Sequence, residues 1–337
     1  MFWLQSLIRP TQRKVSHLCK LCNISYSSWN PSKNLPIIHH EDYVCDLPPN
    51  HRFPMPKFSK IYECLLKDGV IGKEQVSRPS QVSVRTTERA HTKEYVANFF
   101  SGRTSEKEQR ATGFKWSSGL VKRCRYETGG TVLASQIALS RGLAASTAGG
   151  THHAFPGHGA GFCLINDMAV AARHLIEMKK VEKVLFVDLD VHQGDGSADI
   201  FKDDSSVFTF SVHCGKNYPS RKQESDLDVS IEAGMEDEEY LSVVKEHLPW
   251  IVNSFRPDLV IYDAGVDPHV KDDLGKLKLT DKGLFDRDFW VIDFLVRHGC
   301  PCATVIGGGY SKNIDELAVR HSIVHRAAKK VWISQGL

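Results

Sequence analysis

Three short segments of the chain, Lys183 to Leu189, Asp258 to Ala264 and Cys302 to Ile306, are apolar almost throughout, and Ser206 to Val212 is a fourth of the same kind. A strand with one face in water alternates polar and apolar residues, so segments without a polar face belong to strands covered on both sides. Helical patterns separate them. Lys57 to Asp68 places Phe58, Ile61, Tyr62, Leu65 and Leu66 on one face and stops at Gly69, a natural C-terminal cap. Gly130 to Arg141 reads as a small-residue helix ending at Gly142, and Asn166 or Asp167 can cap a helix running through Lys180. Glu236 to Phe255 opens with acidic residues that suit the positive end of a helix dipole, and its Pro249 should kink it. Thr280 to His298 and Lys312 to Lys329 complete the alternation. The pattern predicts an α/β fold of three layers, αβα, with a central, mostly parallel sheet in a single domain over residues 35–330.

None of the apolar runs approaches the roughly 18 residues of a membrane-spanning helix, so no membrane span is expected. The net charge of +3 is too small to argue for direct contact with nucleic acid. That charge is unevenly placed. Residues 1–40 contain Arg9, Arg13, Lys14, Lys20 and Lys33 but no acid, and they are rich in serine; the body is close to neutral. A basic, Ser-rich, acid-free start is the composition of an organellar transit peptide, so residues 1–34 are expected to direct the chain to a mitochondrion or plastid; the alternative is a plain extension on a nuclear or cytoplasmic protein. Nine scattered cysteines do not make a disulfide scaffold. Cys19 and Cys22 have CxxC spacing without a second pair at zinc-ribbon distance and read as incidental thiols, and Cys300 and Cys302 read as packing.

In a parallel sheet, ligands sit beyond the carboxyl ends of the strands. At the end of the Lys183 strand stand Asp188, Asp190, His192 and Asp195, and extended geometry puts 188, 190 and 192 on one side of the chain. Asp267 follows the Asp258 strand and can reach the same region. One His and two Asp make a three-ligand zinc site with a position open for water, the catalytic pattern. Two further features end other strands. Gly149 and Gly150 precede His152 and His153, and glycines allow the turn that lets adjacent imidazoles face one ligand. Gly307, Gly308 and Gly309 precede Tyr310, whose hydroxyl can donate to an oxyanion. A metal-activated water, two histidines and a phenol suit hydrolysis of an amide.

At these residues the chain resembles the zinc-dependent histone deacetylase family, which has the arginase/deacetylase fold. The resemblance rests on GGTHHAFPGHGAGFCLIND (Gly149 to Asp167), VDLDVHQGDG (Val187 to Gly196), AGVDP (Ala264 to Pro268) and GGGY (Gly307 to Tyr310). His-Gln-Gly at 192–194 and the segment PPNHRFPMPKF (Pro48 to Phe58) look most like the class IV branch and its bacterial relatives. The resemblance implies that Asp190, His192 and Asp267 hold zinc. It implies that His152 and His153 are the proton-transfer pair, oriented by Asp188 and Asp195, and that Tyr310 is the oxyanion donor. Gly161 and Phe162 resemble one wall of an acyl-lysine channel, with Tyr218 the opposite wall and Gly308 a further substrate contact. A structural potassium near the backbone of Asp188, Asp190 and His192 and the Ser211 hydroxyl is also implied.

Two departures stand out. Asp263 occupies a position where the family generally has Gln, Ser or Asn, so a further carboxylate should raise its neighbours' pKa, recruit a cation, or be solvated or hydrogen-bonded. The rim Asp that grips the substrate backbone in class I enzymes has no counterpart here. The expected reaction is hydrolysis of N6-acyl-lysine in proteins, histones among them. A small-molecule amidohydrolase acting on an acylated amine such as an acetylpolyamine, and a long-chain acyl-lysine deacylase, are the alternatives. A two-manganese ureohydrolase lacks its second set of bridging carboxylates, and a non-catalytic acyl-lysine binder would have lost a ligand or Tyr310.

Overall fold

The computed structural model describes residues 33–337. The transit-peptide expectation and the Cys19/Cys22 pair fall almost wholly or wholly outside the described residues. Eight strands form one sheet: β1 Ile37–Ile38, β2 Val76–Ser77, β3 Leu143–Ser146, β4 Val184–Asp188, β5 Val207–Cys214, β6 Leu227–Ile231, β7 Leu259–Asp263 and β8 Cys302–Val305. Their order is β2-β1-β3-β8-β7-β4-β5-β6. Every pairing is parallel, which sharpens the expected mostly parallel sheet to an entirely parallel one. β3, β4, β7 and β8 are buried along their whole length, as strands with helices on both faces must be.

The helices form two sets that pack among themselves with the sheet between them. Ser118–Arg141, Asp167–Glu177 and Asp195–Phe201 make one set; Lys57–Lys67, Asp237–Phe255, Asp281–Arg297 and Ile314–Gln335 make the other. The Asp237–Phe255 helix runs through Pro249 as one element. The expected start at Gly130 is wrong: that helix begins at Ser118, capped by the Ser117 side chain, and runs through both Gly129 and Gly130. A side chain on Gly129 would lie 2.0 Å from the Ser80 carbonyl oxygen and one on Gly130 would lie 2.1 Å from the Tyr43 hydroxyl. These glycines let neighbouring chain come close, at a cost in helix propensity of about 1 kcal/mol each. β3, the strand expected to end at Gly149, could not be given bounds from the sequence because Leu-Ala-Ala-Ser is short and poor in β-branched residues. β6 escaped the sequence reading because it is a half-exposed edge strand.

Candidate active site

β3, β8, β7 and β4 are neighbours at the centre of the sheet, and because all run parallel, their carboxyl ends open on one edge. Four loops leave from that edge. They carry His152 and His153 after β3, Asp190 and His192 after β4, Asp267 after β7, and Gly307 to Tyr310 after β8. The loop after β4 is anchored from the helix layer: the Leu189 carbonyl accepts from Arg287 Nη1 at 3.1 Å and from the Tyr240 hydroxyl at 3.4 Å. Arg287 is itself buried and paired with Asp288 at 2.9 Å.

Asp190, His192 and Asp267 come together as a buried group of potential metal ligands. His192 Nδ1 lies 3.0 Å from Asp190 Oδ1 and 3.1 Å from Asp267 Oδ2. The outer carboxylate oxygens are occupied: Asp190 Oδ2 accepts the Gly308 N–H at 2.6 Å and Asp267 Oδ1 accepts the Val191 N–H at 2.8 Å. Each carboxylate is thus oriented with its remaining oxygen inward. Burial opposes a charge on His192, but its bonds to Asp190 and Asp267 outweigh this and hold it up at about 10. Burial and the neighbouring Asp190 push Asp267 up to about 6. Two carboxylate oxygens and an imidazole nitrogen converging on one point are the donor set of a divalent cation with a coordination position left open.

The adjacent histidines separate into two different groups. His152 Nδ1 pairs with Asp188 Oδ2 at 2.8 Å, and His153 Nδ1 pairs with Asp195 Oδ1 at 2.6 Å. Gly149 and Gly150, at φ of 96° and 89°, make the turn that splays the two rings. Burial works against a charge on His152, yet Asp188 and then Asp190 raise its pKa well above the ordinary value. Burial, and then the charge on His152, push His153 down to about 4 against the pull of Asp195. One histidine is therefore a fixed cation and its neighbour a neutral base.

A cavity of about 320 Å³ opens above this floor, with His153, His192 and Tyr310 at its base and Gly161, Phe162 and Tyr218 along its walls. Tyr218 packs edge-on to His153 with ring centroids 4.8 Å apart, and Phe162 lies 5.9 Å from the Tyr310 ring. Burial, followed by the Asp267 and Asp190 charges, raises the Tyr310 pKa well above 10, so its hydroxyl stays a donor. Gly308 lines the inner part of the cavity; its N–H is committed to Asp190, its carbonyl accepts the Val266 N–H at 2.8 Å, and a side chain there would lie 2.2 Å from Asp267 Oδ2.

Of the fates open to Asp263, the structure favours a raised pKa at a neighbour: Asp263 is fully buried, neither carboxylate oxygen has a hydrogen-bond partner among the described residues, Oδ2 lies 3.9 Å from His152 Nδ1, and its charge helps to raise the His152 pKa. Burial and then Asp188 raise the Asp263 pKa well above the usual range. Three positioning residues were missed. Asp167 accepts from the Gly150 and Thr151 N–H groups at 3.1 and 2.7 Å and from the Thr151 and Thr131 hydroxyls, tying down the turn that carries the histidines. Asp272 Oδ2 accepts the Tyr310 N–H at 2.7 Å. Lys57 is buried, with Nζ 3.4 Å from both the Gly307 and Gly309 carbonyls, and burial pushes its pKa down to about 8. The available signal was position: Asp167 closes the GGTHHAFPGHGAGFCLIND motif and Lys57 is the last residue but one of PPNHRFPMPKF, although both read equally well as helix starts.

Comparison with known proteins adds an independent finding. The family model described as histone deacetylase domain matches residues 51–325. An uncharacterised protein of Picosynechococcus is 50% identical over 297 residues, covering 88% of this chain and 99% of its own. Histone deacetylase 2 of Arabidopsis thaliana is 28% identical over 272 residues, covering 78% of this chain and 70% of its own. The crystal structure of the HDA15 HD domain superposes with a TM-score of 0.73 at 21% identity, covering 89% of this chain and 92% of that one, a likeness of fold.

Proposed function

Because the chain belongs to the histone deacetylase family, we propose that it is a zinc-dependent lysine deacylase that hydrolyses the N6-acyl amide of lysine to the free amine and a carboxylate. The observation that carries this reading is the convergence of one imidazole and two carboxylates at the base of a cavity that neutral His153 and protonated Tyr310 also line. Zinc held by Asp190, His192 and Asp267 would supply a Lewis acid that polarises the carbonyl and eases deprotonation of water.

The protein groups do the rest. His153 has Nδ1 committed to Asp195, which leaves Nε2 for the cavity; there it takes a proton from the attacking water and returns it to the departing lysine nitrogen as the C–N bond breaks. Tyr310 donates its hydroxyl to the carbonyl oxygen as negative charge develops there. His152, held cationic by Asp188, adds a positive charge beside the reacting group without moving a proton. Phe162 and Tyr218 flank the aliphatic stem of the substrate. Beyond the donor group, a second space of about 30 Å³, lined by Gly150, His152 and Gly307 among others, suits an acetyl or similarly short acyl group, since one water alone needs roughly 10–15 Å³ of such space. A structural potassium beside Asp188 and Ser211 belongs to the same reading.

The test is an activity panel of metal-reconstituted protein on acetyl-lysine, long-chain acyl-lysine and acetylpolyamine substrates. Release of acetate from acetyl-lysine that is lost on chelation and restored by zinc is the expected result; full activity after exhaustive chelation, or inactivity on every amide, overturns it. We also propose that residues 1–34 are a transit peptide. A reporter fused behind them is expected in mitochondria or plastids, and a nuclear or cytosolic reporter overturns that assignment.

A further inference from the structure

The mouth of the cavity bears charge of one sign. Arg52 and Lys276 are the charged side chains lining it outside the donor and acid–base groups, both are exposed, and no carboxylate lines it. Arg52 has no ion-pair or hydrogen-bond partner among the described residues. Lys276 Nζ reaches a backbone carbonyl, that of Lys216, at 2.6 Å. The lip is a built structure: the Asn217 side chain donates to the Leu274 carbonyl at 2.9 Å and accepts the Lys276 N–H at 3.1 Å, fastening the two loops of the mouth together. Lys222 stitches the same lip from within, its Nζ donating to the Asn217 and Pro219 carbonyls at 2.7 and 2.6 Å. The cations that hold the lip are thus spent on neutral carbonyls, and none of these three is paired with an acid.

We propose that this lip selects an acyl-lysine carried on an acidic peptide, with Arg52 and Lys276 meeting the carboxylates of Asp or Glu residues beside the acylated lysine. The inference rests on the deacylase reading and names its substrate class. A cationic mouth disfavours the alternatives by simple repulsion: an acetylpolyamine brings further ammonium groups, and a Lys/Arg-rich peptide brings like charge to the same two side chains. Because the carboxylate partners are solvent-exposed, the preference is carried mainly in binding and is screened by salt.

The experiment uses the zinc-loaded full chain with labelled acetyl-lysine peptides whose neighbouring positions are acidic, neutral or basic, and with acetylspermidine. Binding is read by fluorescence anisotropy, or by competition for acetylspermidine, and turnover by acetate release. At low salt the acidic peptide is expected to exceed the basic one by about 10-fold in kcat/KM and in affinity, most of it in KM, with the ratio falling towards one at high salt. Arg52→Gln with Lys276→Gln should collapse the ratio, and Arg52→Glu with Lys276→Glu should invert it. Equal or better binding of basic peptides, or preference for acetylspermidine, overturns the inference. Selective binding of acidic peptides without hydrolysis supports it while overturning the deacylase reading, and turnover without selection does the reverse.

Discussion

Two groups of identical composition, one histidine and two aspartates each, lie side by side at the centre of the sheet edge: Asp190, His192 and Asp267, and His152, Asp188 and Asp263. In the first, both carboxylates turn one oxygen to the imidazole at 3.0 and 3.1 Å while backbone N–H groups take the other. In the second, His152 belongs to Asp188 at 2.8 Å, and Asp263 stands 3.9 Å off with both oxygens unpartnered. The first is poised for a cation held from three sides. The second is a charged dyad with a buried carboxyl behind it that has no hydrogen-bond donor among the described residues and has the His152 imidazole 3.9 Å away. Residue type and burial are the same; what differs is where the backbone donors point.

The largest expected effect breaks or upholds the first half of that contrast. Replacing Asp190, His192 or Asp267 by Ala should remove the bound metal and abolish turnover, read by elemental analysis and acetate release. The unchanged protein should bind one zinc-class ion per chain. Two tightly bound ions would make the second group a metal site as well and erase the distinction.

Next come the groups that differ in proton affinity. Tyr310→Phe should lower kcat by about 100 to 1,000-fold with little change in KM, since its donor acts mainly in the transition state. His153→Ala should be at least as damaging, whereas His152→Ala should keep more activity because its contribution is a fixed charge. Metal content and thermal melts check that each variant is loaded and folded. Equal losses at both histidines would refute the division of labour between them.

The smallest effect tests Asp263 directly. Its folded pKa is raised above the unfolded value, so the folded state binds the proton more tightly and the charged carboxyl costs stability as pH rises above the unfolded carboxyl range. Asp263→Asn should therefore melt at the same or a higher temperature at pH 7, by on the order of 1–2 kcal/mol, with zinc retained. Its advantage should shrink as pH falls through about 4, the range in which the unfolded chain's carboxyl also takes up its proton. A variant that is clearly less stable at pH 7 would show that the attraction between a charged Asp263 and cationic His152, 3.9 Å away, outweighs the burial of that charge.

The alternation of doubly buried strands with helices, and the strand-end positions of Asp190, His192, Asp267 and Tyr310, were legible from residue order alone. Both are local properties: an apolar run without a polar face states its own burial, and a parallel sheet sends the residues after each such run to one edge. The extent of β3 and the first turns of the Ser118–Arg141 helix were not legible, because Ala-rich strands and glycine pairs derive their state from what packs on them: Ser80 and Tyr43 in the case of Gly129 and Gly130.

The site divides the same way. Its inventory of donors was determined by the sequence; which aspartate faces which imidazole, that of the adjacent histidines His152 is held cationic and His153 neutral, and that Asp263 is sealed from water were decided by the tertiary structure. The reason is that hydrogen-bond direction and desolvation depend on groups remote in the chain. The Gly308 N–H and the Val191 N–H acquire their roles only when four strand ends and their loops meet, and the cationic lip forms only when the segment before the Lys57–Lys67 helix brings Arg52 to the loop carrying Lys276.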